Sequence, residues 1–153
     1  MVSGLTLILA VDVSNGIIAV VGAEDHILKS GFLAGIKWLK HFRRVPSRRK
    51  HTYLRAFPRR YAKVLNYLKV SRVIINNINE LNELILTLRP ELVVVDDNIF
   101  NKVSYESKIK ESGVKARHLR TLTLLADNLA NYFRVVLKER PKKFNDELRK
   151  FMK

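Results

Sequence analysis

Residues 5–13 are aliphatic at almost every position: Leu5, Leu7, Leu9, Val11 and Val13 alternate with Ile8, Ala10 and a single acid, Asp12. A strand that is apolar on both faces belongs in the middle of a sheet. Ser14-Asn15-Gly16 reads as a hairpin turn into a second β-rich run at residues 17–21. Glu24-Asp25 reads as another polar turn and residues 26–33 as a third strand, so the pattern predicts an opening three-strand meander.

Downstream the period changes. Residues 34–42 read as helical, 43–50 as a loop around Pro46, and Pro58 suits the first turn of a helix reaching about residue 69, with Tyr61, Val64, Leu65 and Leu68 as its apolar stripe. Residues 70–75 fit either a short strand or a join. Residues 78–88 read as a helix closed by Pro90, and residues 91–95 as a near-continuous apolar strand running into Asp96-Asp97. A short helical stretch at 105–111, a weak fifth strand at 114–118, a long helix at 119–139 stopped before Pro141, and a short amphipathic helix at 144–151 complete the series. The order β-β-β, basic helical insert, α-β-α-β-α predicts an α/β fold on a mixed sheet. It reads as a single domain over residues 1–153, with the insert at about 34–73.

Composition narrows the functional classes. The 153 residues are 47% hydrophobic, enough for one proper core, and contain no cysteine. That excludes a disulfide framework and thiolate metal sites, and it accords with a cytoplasmic protein. The longest apolar run carries Asp12 at its centre and is broken at Ser14-Asn15-Gly16, so neither a membrane span nor a signal segment is expected.

The net charge of +15 is unevenly spread: residues 26–79 contain no Asp or Glu but fourteen Lys and Arg. Those charges repel one another in the free protein, and a polyanion relieves the repulsion while releasing counterions. Nucleic acid, DNA or RNA, is therefore the expected partner, held by Arg43, Arg44, Arg48, Arg49, Lys50, Arg55, Arg59, Arg60 and Lys63. Trp38, Phe42, His51, Tyr53, Phe57, Tyr61 and Tyr67 are interleaved with the cations and divide between core positions and surfaces for stacking on bases.

The strand order gives the acids a second meaning. Asp12 ends the first strand and Asp96 or Asp97 ends the fourth; if those ends meet at one edge, the carboxylates repel unless a proton or a cation lies between them. Asp127 on the long helix offers a third acid, while Glu80 and Glu83, on the helix before the fourth strand, read as surface acids. Each has a plainer reading: Asp12 capping the turn that follows it, Asp96 and Asp97 binding loop amides, and Asp127 paired on the surface with Arg120 or Arg134.

With these features together, "ILAVDVSNG", "ELVVVDD" and "LLADNLANYF" resemble the ribonuclease H-like superfamily, and within it the Holliday-junction resolvase-like nucleases. The resemblance covers most of the chain outside the basic insert. It implies that Asp12, Asp96 and Asp127 ligate two Mg²⁺ or Mn²⁺ ions for phosphodiester hydrolysis, with Asp96, directly after the valines, preferred over Asp97 as the ligand. Because junction resolvases make paired cuts, it also raises a homodimer.

Other chemistries lack their parts. His26, His41, His51 and His118 have no metal-ligand spacing, no Gly-rich loop opens a helix after a strand, and Ser14 and Ser104 sit in no nucleophile elbow. A non-catalytic nucleic-acid-binding module on the same fold remains the principal alternative. A PIN-type nuclease is a weaker one, because its first strand would be expected to run into a helix rather than a hairpin.

Overall fold

A computed structural model describes residues 6–30, 33 and 36–153. Strand β1 (Leu7–Ser14) turns directly into β2 (Ile17–Glu24), and the two pair antiparallel. The turn residues Asn15 and Gly16 both have positive φ, 46° and 82°. That is the backbone hand matching the twist of a two-residue hairpin, and Asn-Gly adopts it at low cost. β3 (Val70–Ile75) pairs antiparallel with β2, while β4 (Leu92–Val95) and β5 (Lys108–Lys110) add in parallel on the other side of β1. The five-stranded mixed sheet has the order β3-β2-β1-β4-β5, which makes β1 the central strand that its two-sided apolarity predicts.

Each face of the sheet is covered. Leu9, Val11, Ile18 and Val20 point to the side of α3 (Ile78–Leu88), where Leu81 and Ile85 meet them. Ile8, Ala10, Ala19 and Val21 point to the other side, against Leu122, Leu125, Ala126, Leu129 and Phe133 of α4 (Arg117–Glu139). Full burial of such aliphatic side chains stabilises by about 1.5–3 kcal/mol each relative to exposure. Close approach also shapes the sheet at Gly22, where a Cβ would collide with the Leu9 side chain and lie 3.2 Å from the Ile8 carbonyl oxygen.

The structure departs from the sequence reading around the insert. Residues 26–30 are not a strand, and residues 31 and 32 of that expected strand lie outside the described residues: β2 continues to Glu24, and α1 (Asp25–Lys29) follows, with Lys29 Nζ 2.8 Å from Asp25 across one helical turn and Leu28 buried. The third strand is β3 instead, so the insert interrupts the meander between its second and third strands, and residues 70–73 belong to the sheet. Part of the expected helix at 34–42 lies outside the described residues, and residues 36–41 are not helical.

The insert's helix, α2 (Lys50–Leu65), begins eight residues before Pro58. Its buried Leu54, Phe57, Tyr61 and Val64 recur at helical spacing across the proline, and their packing offsets the hydrogen bond that Pro58 cannot donate. Phe57 and Tyr61 stack with ring centroids 5.0 Å apart, and Phe151 of α5 (Phe144–Phe151) closes on Tyr61 at 5.6 Å.

Two further expectations fail beyond β4. A 3-10 helix, Asp97–Lys102, leads towards β5, and neither the helix at 105–111 nor the strand at 114–118 forms. β5 has only three residues, two of them lysines, so no hydropathy period marks it. It is held partly by Lys108 Nζ, which donates to the carbonyls of Phe100 (2.8 Å) and Val103 (2.6 Å). Among the described residues, no helix is long and apolar enough to cross a membrane.

Candidate active site

Pleating decides which acids meet. Ile8 and Ala10 face α4, so Asp12, two residues further on, takes the same side. In β4 the α4-facing residue is Val94, and two residues on from it is Asp96. Since Val11 is level with Val95 in the parallel ladder, Asp12 and Asp96 emerge side by side. Asp97 also lines the cleft that these acids share but is exposed there; the Ser112 hydroxyl and the Ser112 N–H, which Asp97 Oδ1 accepts at 3.1 Å, hold its carboxyl below the usual carboxylate range.

Asp12, Asp96 and Asp127 line one open cleft of about 540 Å³, with Glu111, Ser14 and Asn131 around them. Asp12, Asp96 and Asp127 are buried. The Val13 N–H donates to Asp12 Oδ1 (2.9 Å) and to Asp96 Oδ2 (3.3 Å), drawing the two carboxyl groups together. Burial first, then a hydrogen bond shared with Asp96 and the charges of Asp127, Asp96 and Glu111, drive the Asp12 carboxyl far above the ordinary carboxylate range. Glu111 is pushed up to about 7 by its burial and by the charges of Asp96, Asp127 and Asp97, against the opposing pull of Arg43.

Glu111 is the acid that sequence reasoning missed. It follows the three-residue β5 in a lysine-rich stretch, and only the fold of that edge carries it to the cleft. Glu80 and Glu83 are exposed on α3 and do not line the cleft, in keeping with their reading as surface acids. Ser14 does have a sequence signal, because it shares the face of Asp12 two residues on. Its hydroxyl donates to Asn131 Oδ1 (3.1 Å), and Asn131 Nδ2 donates to Asp127 Oδ1 (3.2 Å), a chain joining β1 to α4.

Asp127 is more deeply engaged than a surface ion pair with Arg120 or Arg134. The insert packs over the second face of α4, so Thr123, Asp127, Asn128 and Ala130 are all buried. Asp127 Oδ2 accepts the Phe42 N–H at 2.7 Å, His41 Nε2 lies 3.5 Å from Oδ1, and neighbouring Asn128 donates to the Lys40 carbonyl at 2.8 Å. Two consecutive helix residues thus pin the start of the basic insert beside the acids. Asp12 accepts the amide next to it rather than capping the Asn15-Gly16 turn, whereas Asp96 does accept a loop amide, that of Asn98, at 2.9 Å.

The expected basic residues separate. Arg43 lines the acid cleft, and Arg44 lines the neighbouring groove. Arg49 and Arg60 line a third concavity; Arg55 lies elsewhere, near Glu139 and Glu147. Arg48, Arg59 and Lys63 are exposed. Lys50 is occupied within the fold, its ammonium donating to the Phe42 carbonyl at 2.8 Å and sitting 4.2 Å from that ring's centroid.

The donor set consists of hard oxygen atoms, which suit Mg²⁺ or Mn²⁺ and not a soft metal. As the side chains stand, no group of three or more His, Asp or Glu among the described residues is gathered tightly enough to hold an ion; Asp12 and Asp96 come together as a proton-sharing pair. No family model, curated protein or solved structure matches this chain.

Proposed function

We propose that this chain is a divalent-metal-dependent nuclease or resolvase of ribonuclease H-like design, hydrolysing phosphodiester bonds in DNA or RNA. The observation that carries the reading is the convergence of Asp12, Asp96, Asp127 and Glu111, from four separate elements, in one cleft where burial and neighbouring charges raise the Asp12 and Glu111 carboxyls. A fold concentrates acid at such cost where a cation or a shared proton compensates it. The antiparallel meander followed by parallel β4 and β5, with α4 against the central strand, is compatible with the same reading.

Mg²⁺ or Mn²⁺ would be held by Asp12 and Asp96, with Asp127 and Glu111 as the further oxygen donors. When bound, such an ion supplies activation of a water and charge neutralisation at the phosphate. The chain's own residues do the rest. The Val13 amide orients both strand-end carboxyls, and Asn131 and the Phe42 amide fix Asp127. Arg43, exposed on the cleft wall, offers a cation to a phosphate entering it.

The test is cleavage of branched DNA and of structured RNA with Mg²⁺ or Mn²⁺, comparing wild type with Asp12→Asn and Asp96→Asn. Loss of cleavage in both variants, with Mg²⁺ binding lost by calorimetry, supports the reading; cleavage that survives Asp12→Asn sinks it. One observation favours a second reading, a non-catalytic nucleic-acid-binding module: Asp127 and Asp96 each satisfy a backbone amide and so have structural work without a metal. That reading expects salt-sensitive binding with no cleavage under any metal.

A further inference from the structure

The acid cleft continues into the insert. A neighbouring groove of about 600 Å³ shares His41, Arg43 and Glu111 with it and runs past Arg44 and Arg120. Lys40 lines this groove and also a third concavity, again of about 600 Å³, within the range that accepts a small ligand. Two half-buried rings, Trp38 and Tyr53, line that third site with Lys37, Lys40, Arg49 and Arg60, and no acid lines it.

Both rings are held in place from within. Trp38 meets core Phe57 edge-on at 6.4 Å and Tyr53 at 6.3 Å. The Tyr53 hydroxyl accepts the Lys40 N–H (3.2 Å) and lies 3.3 Å from the Lys40 carbonyl, the same carbonyl that Asn128 fixes from α4. The Arg60 guanidinium sits 5.4 Å from the Trp38 ring centroid. Rigid rings lose little freedom when a flat partner stacks on them, and cations beside them suit the phosphates on either side of such a partner.

We propose that the Trp38–Tyr53 concavity is a subsite for an unpaired nucleobase, and that it receives a single-stranded segment whose phosphates run past Lys40, Arg43 and Arg44 to the acid cleft. The inference rests on the nucleic-acid part of the reading above and not on catalysis. It narrows the substrate class to strands with an unpaired stretch beside the scissile bond.

Trp38 is the chain's one tryptophan, so its emission reports on this site alone. The full chain, held in EDTA to prevent cleavage, is titrated with short oligothymidine and oligouridine, with an abasic oligomer of equal length, and with heparin. The expected result is quenching of Trp38 by the base-bearing strands, with the stronger of the two naming DNA or RNA, and binding without quenching by the abasic strand and heparin. Tyr53→Ala should weaken binding of the base-bearing strands by about 5- to 100-fold, the range for one lost stacking contact, while Tyr53→Phe should retain it. Arg49→Glu, at an exposed position, should weaken binding without touching the core.

Equal quenching by the abasic strand, binding with Trp38 emission unchanged, no binding at all, or wild-type affinity in both Tyr53→Ala and Arg49→Glu would each overturn the subsite. Cleavage with Mg²⁺ is scored separately. Cleavage without quenching removes the subsite and leaves the nuclease, whereas quenching without cleavage does the reverse.

Discussion

Replacing Asp12 with Asn should make the metal-free protein more stable at neutral pH, the opposite of what most changes at a buried polar site do. Asn keeps an oxygen for the Val13 N–H and offers an N–H to Asp96, but it removes one of two carboxyls that cannot both ionise side by side. The sign follows from linkage. Asp12 titrates near 3.8 in an unfolded chain and far higher when folded, so between those values folding takes up a proton. The stability Asp12 allows is fully present below about pH 4 and is lost as pH rises towards the folded value. Glu111, raised from 4.5 to about 7, adds a slope of the same sign over that interval.

Each unit by which the folded pKa exceeds the unfolded one is worth about 1.4 kcal/mol. Between pH 4 and pH 7 that bounds the cost at about 4 kcal/mol, and because the proton is shared with Asp96 about 2–4 kcal/mol is expected. For a chain of this size the variant should then melt about 5–15 °C above wild type at pH 7 in EDTA, with the gap closing towards pH 4. His41, Arg43, Asp127 and Glu111 face the same cleft in both proteins, and both carry the same basic background, so the difference isolates Asp12. Saturating Mg²⁺ should raise the melting temperature of wild type and leave the variant unmoved. A variant less stable than wild type at pH 7, or a gap that does not change with pH, would refute the reasoning.

Asp97→Asn should behave unlike its neighbour: Asn retains an acceptor for the Ser112 amide, so stability by urea denaturation should change by no more than about 0.5 kcal/mol and metal-dependent cleavage should persist. Asp127→Ala leaves the buried Phe42 amide without its acceptor and should cost about 1–3 kcal/mol, read as earlier unfolding and faster tryptic cutting at Arg43 or Arg44. Asp127→Asn, which keeps an acceptor oxygen, should lose less. Gly22→Ala drives a methyl into Leu9 and the Ile8 carbonyl and should cost about 1–3 kcal/mol in the same urea measurement, with no effect on metal binding.

Hydropathy along the chain was enough to identify β1 as central, the Asn15-Gly16 hairpin, and the helices read at 78–88, 119–139 and 144–151, the second of which begins two residues earlier, at Arg117. These depend on local period, turn chemistry and breakers such as Pro90 and Pro141, all of which act within a few residues. The two strand-ending acids were legible for the same reason. Tertiary structure decided what depends on distant partners. The sheet takes Val70–Ile75 as its third strand because it completes the edge beside β2, and α2 runs through Pro58 because core contacts on both sides outweigh one lost bond. Lysine-rich β5 exists only because β4 templates it, and with it comes Glu111. Asp96 was preferred over Asp97 by its place after the valines, but that it stands level with Asp12 needed the register of β4 against β1, which no residue of either strand specifies alone. For Asp127 the sequence left a surface charge open beside a ligand role, because the insert that buries it lies more than eighty positions away in sequence, and burial, unlike periodicity, belongs to the assembled fold.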